Sequence, residues 1–84
     1  MYKDRIFLFG NRFINRMDTG LLEAALQYVD FDEAGLAFET LCDHICEYDI
    51  LISQEEYVEA IDLALDMEFD INMARYTCMK ALIR

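Results

Sequence analysis

Eighty-four residues, 56 % of them hydrophobic and eleven aromatic, make one domain with enough apolar material for a core. With no proline and only three glycines, the chain lacks the turn residues an all-β domain uses. A net charge of −10 disfavours nucleic acid and anionic membrane as partners, and three cysteines, an odd number, argue against a closed disulfide framework.

The charge is segregated. Four basic residues (Lys3, Arg5, Arg12, Arg16) and one acid (Asp4) lie in the first sixteen positions. Residues 17–74 hold sixteen acids and no lysine or arginine, and Arg75, Lys80 and Arg84 follow. The basic ends can neutralise part of this acidic middle, and what remains forms a field that attracts a basic partner. The apolar patch at residues 6–9 is shorter than the roughly 7–15 residues of a signal-peptide core, and no run approaches the roughly 20 residues of a membrane span. The expected location is the cytoplasm.

Residues 4–17 read as a first helix. Ile6, Phe9, Phe13 and Met17 form one face at three- and four-residue steps, flanked by Phe7 and Ile14. Gly10 weakens this helix by about 1 kcal/mol relative to Ala, or permits a close approach. Asp18 or Thr19 caps a second helix running to about Val29, with Leu22, Ala25, Leu26 and Val29 inward. The turn at residues 30–32 offers two cap candidates. A third helix begins near Glu33, with Ala34, Phe38, Leu41, Ile45 and Tyr48 inward.

The outer face of that helix carries Glu39, Asp43 and Glu47 at steps of four. Like charges at this spacing cost a few tenths of a kcal/mol per pair, and a cation would relieve them. The cation is either the chain's own Arg or Lys, or a partner's. Residues 49–52 (DILI) form an apolar connector that covers the core. The run Ser53-Gln-Glu-Glu56 is a capping box, with Ile52 and Tyr57 placed as a hydrophobic staple. The fourth helix it starts turns Tyr57, Ile61, Ala64 and Leu65 inward and Glu55, Glu59, Asp62 and Asp66 outward. Phe69 and Asp70 repeat the staple-and-cap pattern before a last helix with Ile71, Ala74, Cys78 and Leu82 inward. The expected fold is all-α, a compact bundle of four to five short helices spanning residues 1–84 as one domain.

Chemical motifs are weak. Cys42 and Cys46 stand one turn apart, but His44 lies on the other side of the helix and a structural zinc site needs four ligands. The run from Asp30 to Leu41 starts like a calcium loop, yet Ala34 and Leu41 occupy ligand positions. The single serine, Ser53, serves as a helix cap rather than a carrier attachment site, and no elbow or arranged nucleophile accompanies His44. The reading is therefore a non-enzyme with no metal and no cofactor.

Three segments carry a resemblance. Residues 21–28 (LLEAALQY), 35–43 (GLAFETLCD) and 47–57 (EYDILISQEEY) resemble, in order and spacing, the MafI family of bacterial immunity proteins. The resemblance spans roughly residues 12–69 and leaves out the last helix. It implies a cytoplasmic, stoichiometric inhibitor of the toxic C-terminal domain of a secreted polymorphic toxin, frequently a nuclease, in the manner of contact-dependent inhibition immunity proteins.

The expected partner is then a basic toxin domain, RNase or DNase, with no direct binding of nucleic acid or membrane. The expected partner-binding residues are Glu39, Asp43, Glu47, Tyr48, Asp49, Glu55, Glu59 and Asp62. Affinity needs a desolvated anchor, for which Tyr28, Tyr48 and Tyr57 are the candidates, although Tyr57 and Tyr48 also fit core positions. The high apolar fraction leaves room for a homodimer. The alternative is an acidic helical adaptor or antitoxin-like module for another basic protein, which a genomic neighbourhood without a toxin gene would favour.

Overall fold

The capping box is the best-formed local feature of the chain. A computed structural model describes residues 2–84, and in it Ser53 Oγ accepts from Glu56 N at 3.0 Å while Glu56 Oε1 accepts from Ser53 N at 2.8 Å. This satisfies two otherwise orphaned amides and starts a helix at Gln54. The described residues form an all-α domain of five helices: α1 (Lys3–Asn11), α2 (Thr19–Asp30), α3 (Ala34–Glu47), α4 (Gln54–Asp66) and α5 (Ala74–Ala81). Helix α3 packs on α1, α2 and α5, and α4 packs on α1 and α5.

The first helix ends earlier than the periodicity predicts. After Asn11 the chain tightens into successive turns, with Phe13 N donating to Gly10 O at 3.0 Å and Arg16 N to Phe13 O at 2.9 Å. The tighter winding keeps Phe13 and Met17 buried but turns Ile14 out, leaving it 58 % exposed. Gly10 permits the close approach: a Cβ there would stand 3.0 Å from Leu26 Cδ2 on α2. Asp18, rather than Thr19, caps α2 by accepting from Leu21 N at 3.2 Å.

Helices α2, α3 and α4 end alike. Asp32, Asp49 and Glu68 each adopt a positive φ (59°, 50° and 63°), and the next amide reaches back five residues. Those bonds are Glu33 N to Tyr28 O (2.9 Å), Ile50 N to Ile45 O (2.9 Å) and Phe69 N to Ala64 O (2.8 Å). This is the Schellman arrangement, built here with acids in the left-handed region where glycine is usual. It returns Ile50 and Phe69 to the apolar interior, where Phe69 stacks on Phe38 at 6.2 Å between centroids. Asp30 and Asp32 therefore belong to the end of α2, and α3 has no side-chain cap.

Two faces differ from expectation. In α4 the buried set is Glu56, Ala60, Leu63 and Ala64; Tyr57 and Ile61 are half-buried and Leu65 is 52 % exposed. The helix has rotated because its small Ala60 and Ala64 can lie against neighbours, while Glu56 is drawn inward by an arginine described below. Phe69 closes α4 instead of opening α5, and Asp70 accepts from Asn72 N at 2.9 Å in a local turn. Helix α5 thus starts at Ala74 and buries Tyr76 and Met79; Ile71 and Ala74 are exposed, and Cys78 and Leu82 half-buried. The chain end is tied back to the connector, Ile52 N donating to Leu82 O at 3.1 Å and Arg84 N to Ile52 O at 2.9 Å.

The core is continuous. Phe9 sits between Phe13 (5.2 Å, edge-on) and Phe38 (5.9 Å), and Leu41, Cys42, Ile45, Ile52 and Met79 fill the space around them. No helix among the described residues is long and apolar enough to cross a membrane.

Candidate functional site

The acidic middle divides into carboxylates held by the chain's own arginines and carboxylates left to solvent. Arg75, on the first turn of α5, reaches across to α3 and pairs with Glu39 at 2.8 Å and Asp43 at 3.3 Å. Arg12 pairs with Glu59 at 2.9 Å and Arg5 with Asp66 at 2.6 Å, stitching α1 to one edge of α4. Three of the expected partner-binding acids, Glu39, Asp43 and Glu59, therefore spend their charge inside the molecule. Replacing Arg75 by Met is expected to lower the urea-unfolding free energy by about 1–2 kcal/mol, because it leaves Glu39 half-buried and unpaired. The figure is modest because Asp43 is well exposed to water.

The strongest of these pairs is Arg16 with Glu56. Both guanidinium Nη atoms donate to the carboxylate, at 2.9 and 2.6 Å, and the same arginine donates to Leu51 O (2.9 Å) and Arg12 O (2.8 Å). Its Cζ also lies over the Phe13 ring, 4.6 Å from the centroid. Glu56 is 5 % exposed. The hydrogen bonds from Arg16 outweigh the cost of burial and hold its carboxyl below the ordinary value of 4.5, while Arg16 is raised in turn. One arginine thus joins the turn after α1, the connector and the start of α4.

The remaining predicted residues lie at the end of α3, in the turn after it and on the outer side of α4. Among the described residues Glu47, Asp49, Glu55 and Asp62 make no ion pair, and all four are exposed. Tyr48, between Glu47 and Asp49 in sequence, is 53 % exposed, its ring 6.1 Å from His44. The sequence pattern puts Tyr48 on the inner face. As the residue that closes α3, it instead leaves the helical phase and faces water, while Ile50 takes the inward position. Tyr57 is half-buried and Tyr28 lies on α2, away from this stretch in the chain.

The sequence pattern misses the apolar part of the surface. Glu55, Val58, Asp62 and Leu65 recur at three- and four-residue steps and share the outward face of α4. With Leu51 and Tyr48 this gives exposed apolar side chains alternating with free carboxylates. Val58 and Leu65, seven apart like Glu55 and Asp62, were the available signal. A contact surface of this kind suits a partner that is both basic and apolar, since the carboxylates steer and the apolar groups can be desolvated.

No family model, no curated protein and no solved structure matches the chain.

Proposed function

We propose that this chain is an immunity protein that binds and neutralises the toxic domain of a cognate secreted bacterial toxin. The observation that carries the reading is the exposed run from the end of α3 into α4, where Tyr48 lies between Glu47 and Asp49 in sequence and Glu55 follows, carboxylates that pair with no cation among the described residues. The resemblance of residues 21–57 to the MafI family supports the class, and the toxin domain is taken to be a nuclease. In this reading the inhibitor works in the producer's cytoplasm.

The mechanism follows from charge. A nuclease holds cations where phosphates bind, and the row of free carboxylates from Glu47 to Asp62 presents substrate-like charge to them. Complementary fields raise association toward about 10⁸–10⁹ M⁻¹s⁻¹ at low salt. Tyr48, with the exposed Leu51 and Val58, supplies the apolar area that becomes desolvated and slows dissociation.

Co-expression with the toxin domain encoded by the neighbouring gene tests the reading: growth is rescued, and the reading fails if the toxin still kills. The double variant Glu47→Lys, Glu55→Lys is expected to slow association about 10- to 100-fold at low salt, with the difference shrinking as salt rises. Tyr48→Ala is expected to act on dissociation, speeding it about 10-fold or more. Equal effects of salt on both variants would sink the assignment of steering to the carboxylates and anchoring to Tyr48.

A further inference from the structure

The cysteines arrange themselves into two kinds. Cys42 is fully buried in the core, where burial pushes its thiol well above the ordinary thiol range. Cys46 on α3 and Cys78 on α5 are half-buried and line the same surface cavity, about 520 Å³, walled also by Asp43, Glu47, Met73 and Arg75. They sit on helices packed directly against each other, close enough for the Cys78 thiol to help raise that of Cys46. Cys46 Sγ also donates to Arg75 O at 3.3 Å, which directs its sulfur toward α5. Both thiols are free.

We propose that Cys46 and Cys78 form a redox-active pair that closes a disulfide between α3 and α5 when a low-molecular-weight disulfide of the glutathione class enters the cavity. The step balances as thiol–disulfide exchange. The Cys78 thiolate attacks one sulfur of the oxidant, whose S–S bond breaks and releases a first thiol. Cys46 then attacks the Cys78 sulfur of the mixed disulfide, the second thiol leaves, and its proton comes from Cys46. Two protein thiols lose two electrons and two protons, and one oxidant disulfide becomes two thiols. Cys46 is the resolving partner because burial, with the Cys78 contact, holds its thiol up at about 12 and so protonated at neutral pH. The bridge would close a loop of about thirty residues and pin α5, the shortest helix, to the centre of the fold.

The test is exposure of the purified chain to oxidised glutathione, followed by acid quench, denaturing alkylation and mass analysis. The expected product has lost two hydrogens and carries one alkyl group, on Cys42. Its non-reducing peptide map joins Cys46 to Cys78, and its Tm rises by on the order of 10 °C and returns on reduction. Cys46→Ser is expected to stop at a glutathione adduct on Cys78 with no rise in Tm. The wild-type peptide map decides the matter even if that variant folds poorly. Glutathione adducts without a bridge, a bridge that includes Cys42, or only chain-to-chain disulfides would overturn the proposal.

Discussion

Replacing Glu56 by Ala is expected to cost about 3 kcal/mol and to lower Tm by roughly 15 °C. Glu56 is the only charged side chain among the described residues to be buried, and three features depend on it: the bidentate pair with Arg16, the return bond to Ser53 N, and the packing of the first turn of α4. Removal leaves Arg16 facing a hole with its other bonds, to Leu51 O and Arg12 O, no longer anchored. The estimate sits at the low end for a buried pair because the Arg16 side chain is 37 % exposed and water can partly replace the carboxylate.

The same residue makes stability depend on pH. Its folded carboxyl is held below its ordinary value of 4.5 by the Arg16 hydrogen bonds. The unfolded chain therefore takes up the proton first, so this contribution is complete above the ordinary value and is lost as pH falls through the folded one. Glu56→Gln keeps an acceptor for Ser53 N but cannot ionise. Urea titrations of both proteins should differ at pH 7 and converge as pH falls below the ordinary value of 4.5 and through the lower folded one. A gap that stays constant across that range would show that packing, not the ion pair, sets the difference.

Phe38→Ala should have the largest effect of any single core change, about 3–5 kcal/mol. Phe38 is fully buried on the central helix, with Phe9 at 5.9 Å on one side and Phe69 stacked at 6.2 Å on the other. Truncation would open a cavity between α1, α3 and the turn that ends α4. An 84-residue domain has a total stability of roughly 4–13 kcal/mol, so the variant is expected to be marginal at 37 °C. Phe38→Leu, which keeps most of the volume, should cost less than half as much. A loss below about 1 kcal/mol for the Ala variant, read from the urea midpoint at constant m, would mean that the aromatic stack is not the centre of the core.

These two residues show different degrees of legibility. Phe38, Leu41 and Ile45 follow the helical period, and burial of a periodic apolar face is a local property of the chain. Ser53 and Glu56 announce the start of α4 because a capping box is satisfied within four residues. That Glu56 also faces inward is not local, since its partner Arg16 lies forty residues away. The same non-local pairing decides the candidate surface. Glu39, Asp43 and Glu47 are equivalent along the sequence, and only the placement of α5 gives Arg75 to the first two and leaves Glu47 free.

Local interactions alone therefore determined the all-α class, a bundle of four to five short helices, most of the core faces of α1 to α3 and the capping box, because hydrophobic period and cap chemistry act within a turn or two. The tertiary structure decided where α1 stops, the rotation of α4, the late start of α5, the exposure of Tyr48 and which carboxylates remain unpaired. Those depend on helix packing and on arginines distant in sequence, and no pattern along one helix records them.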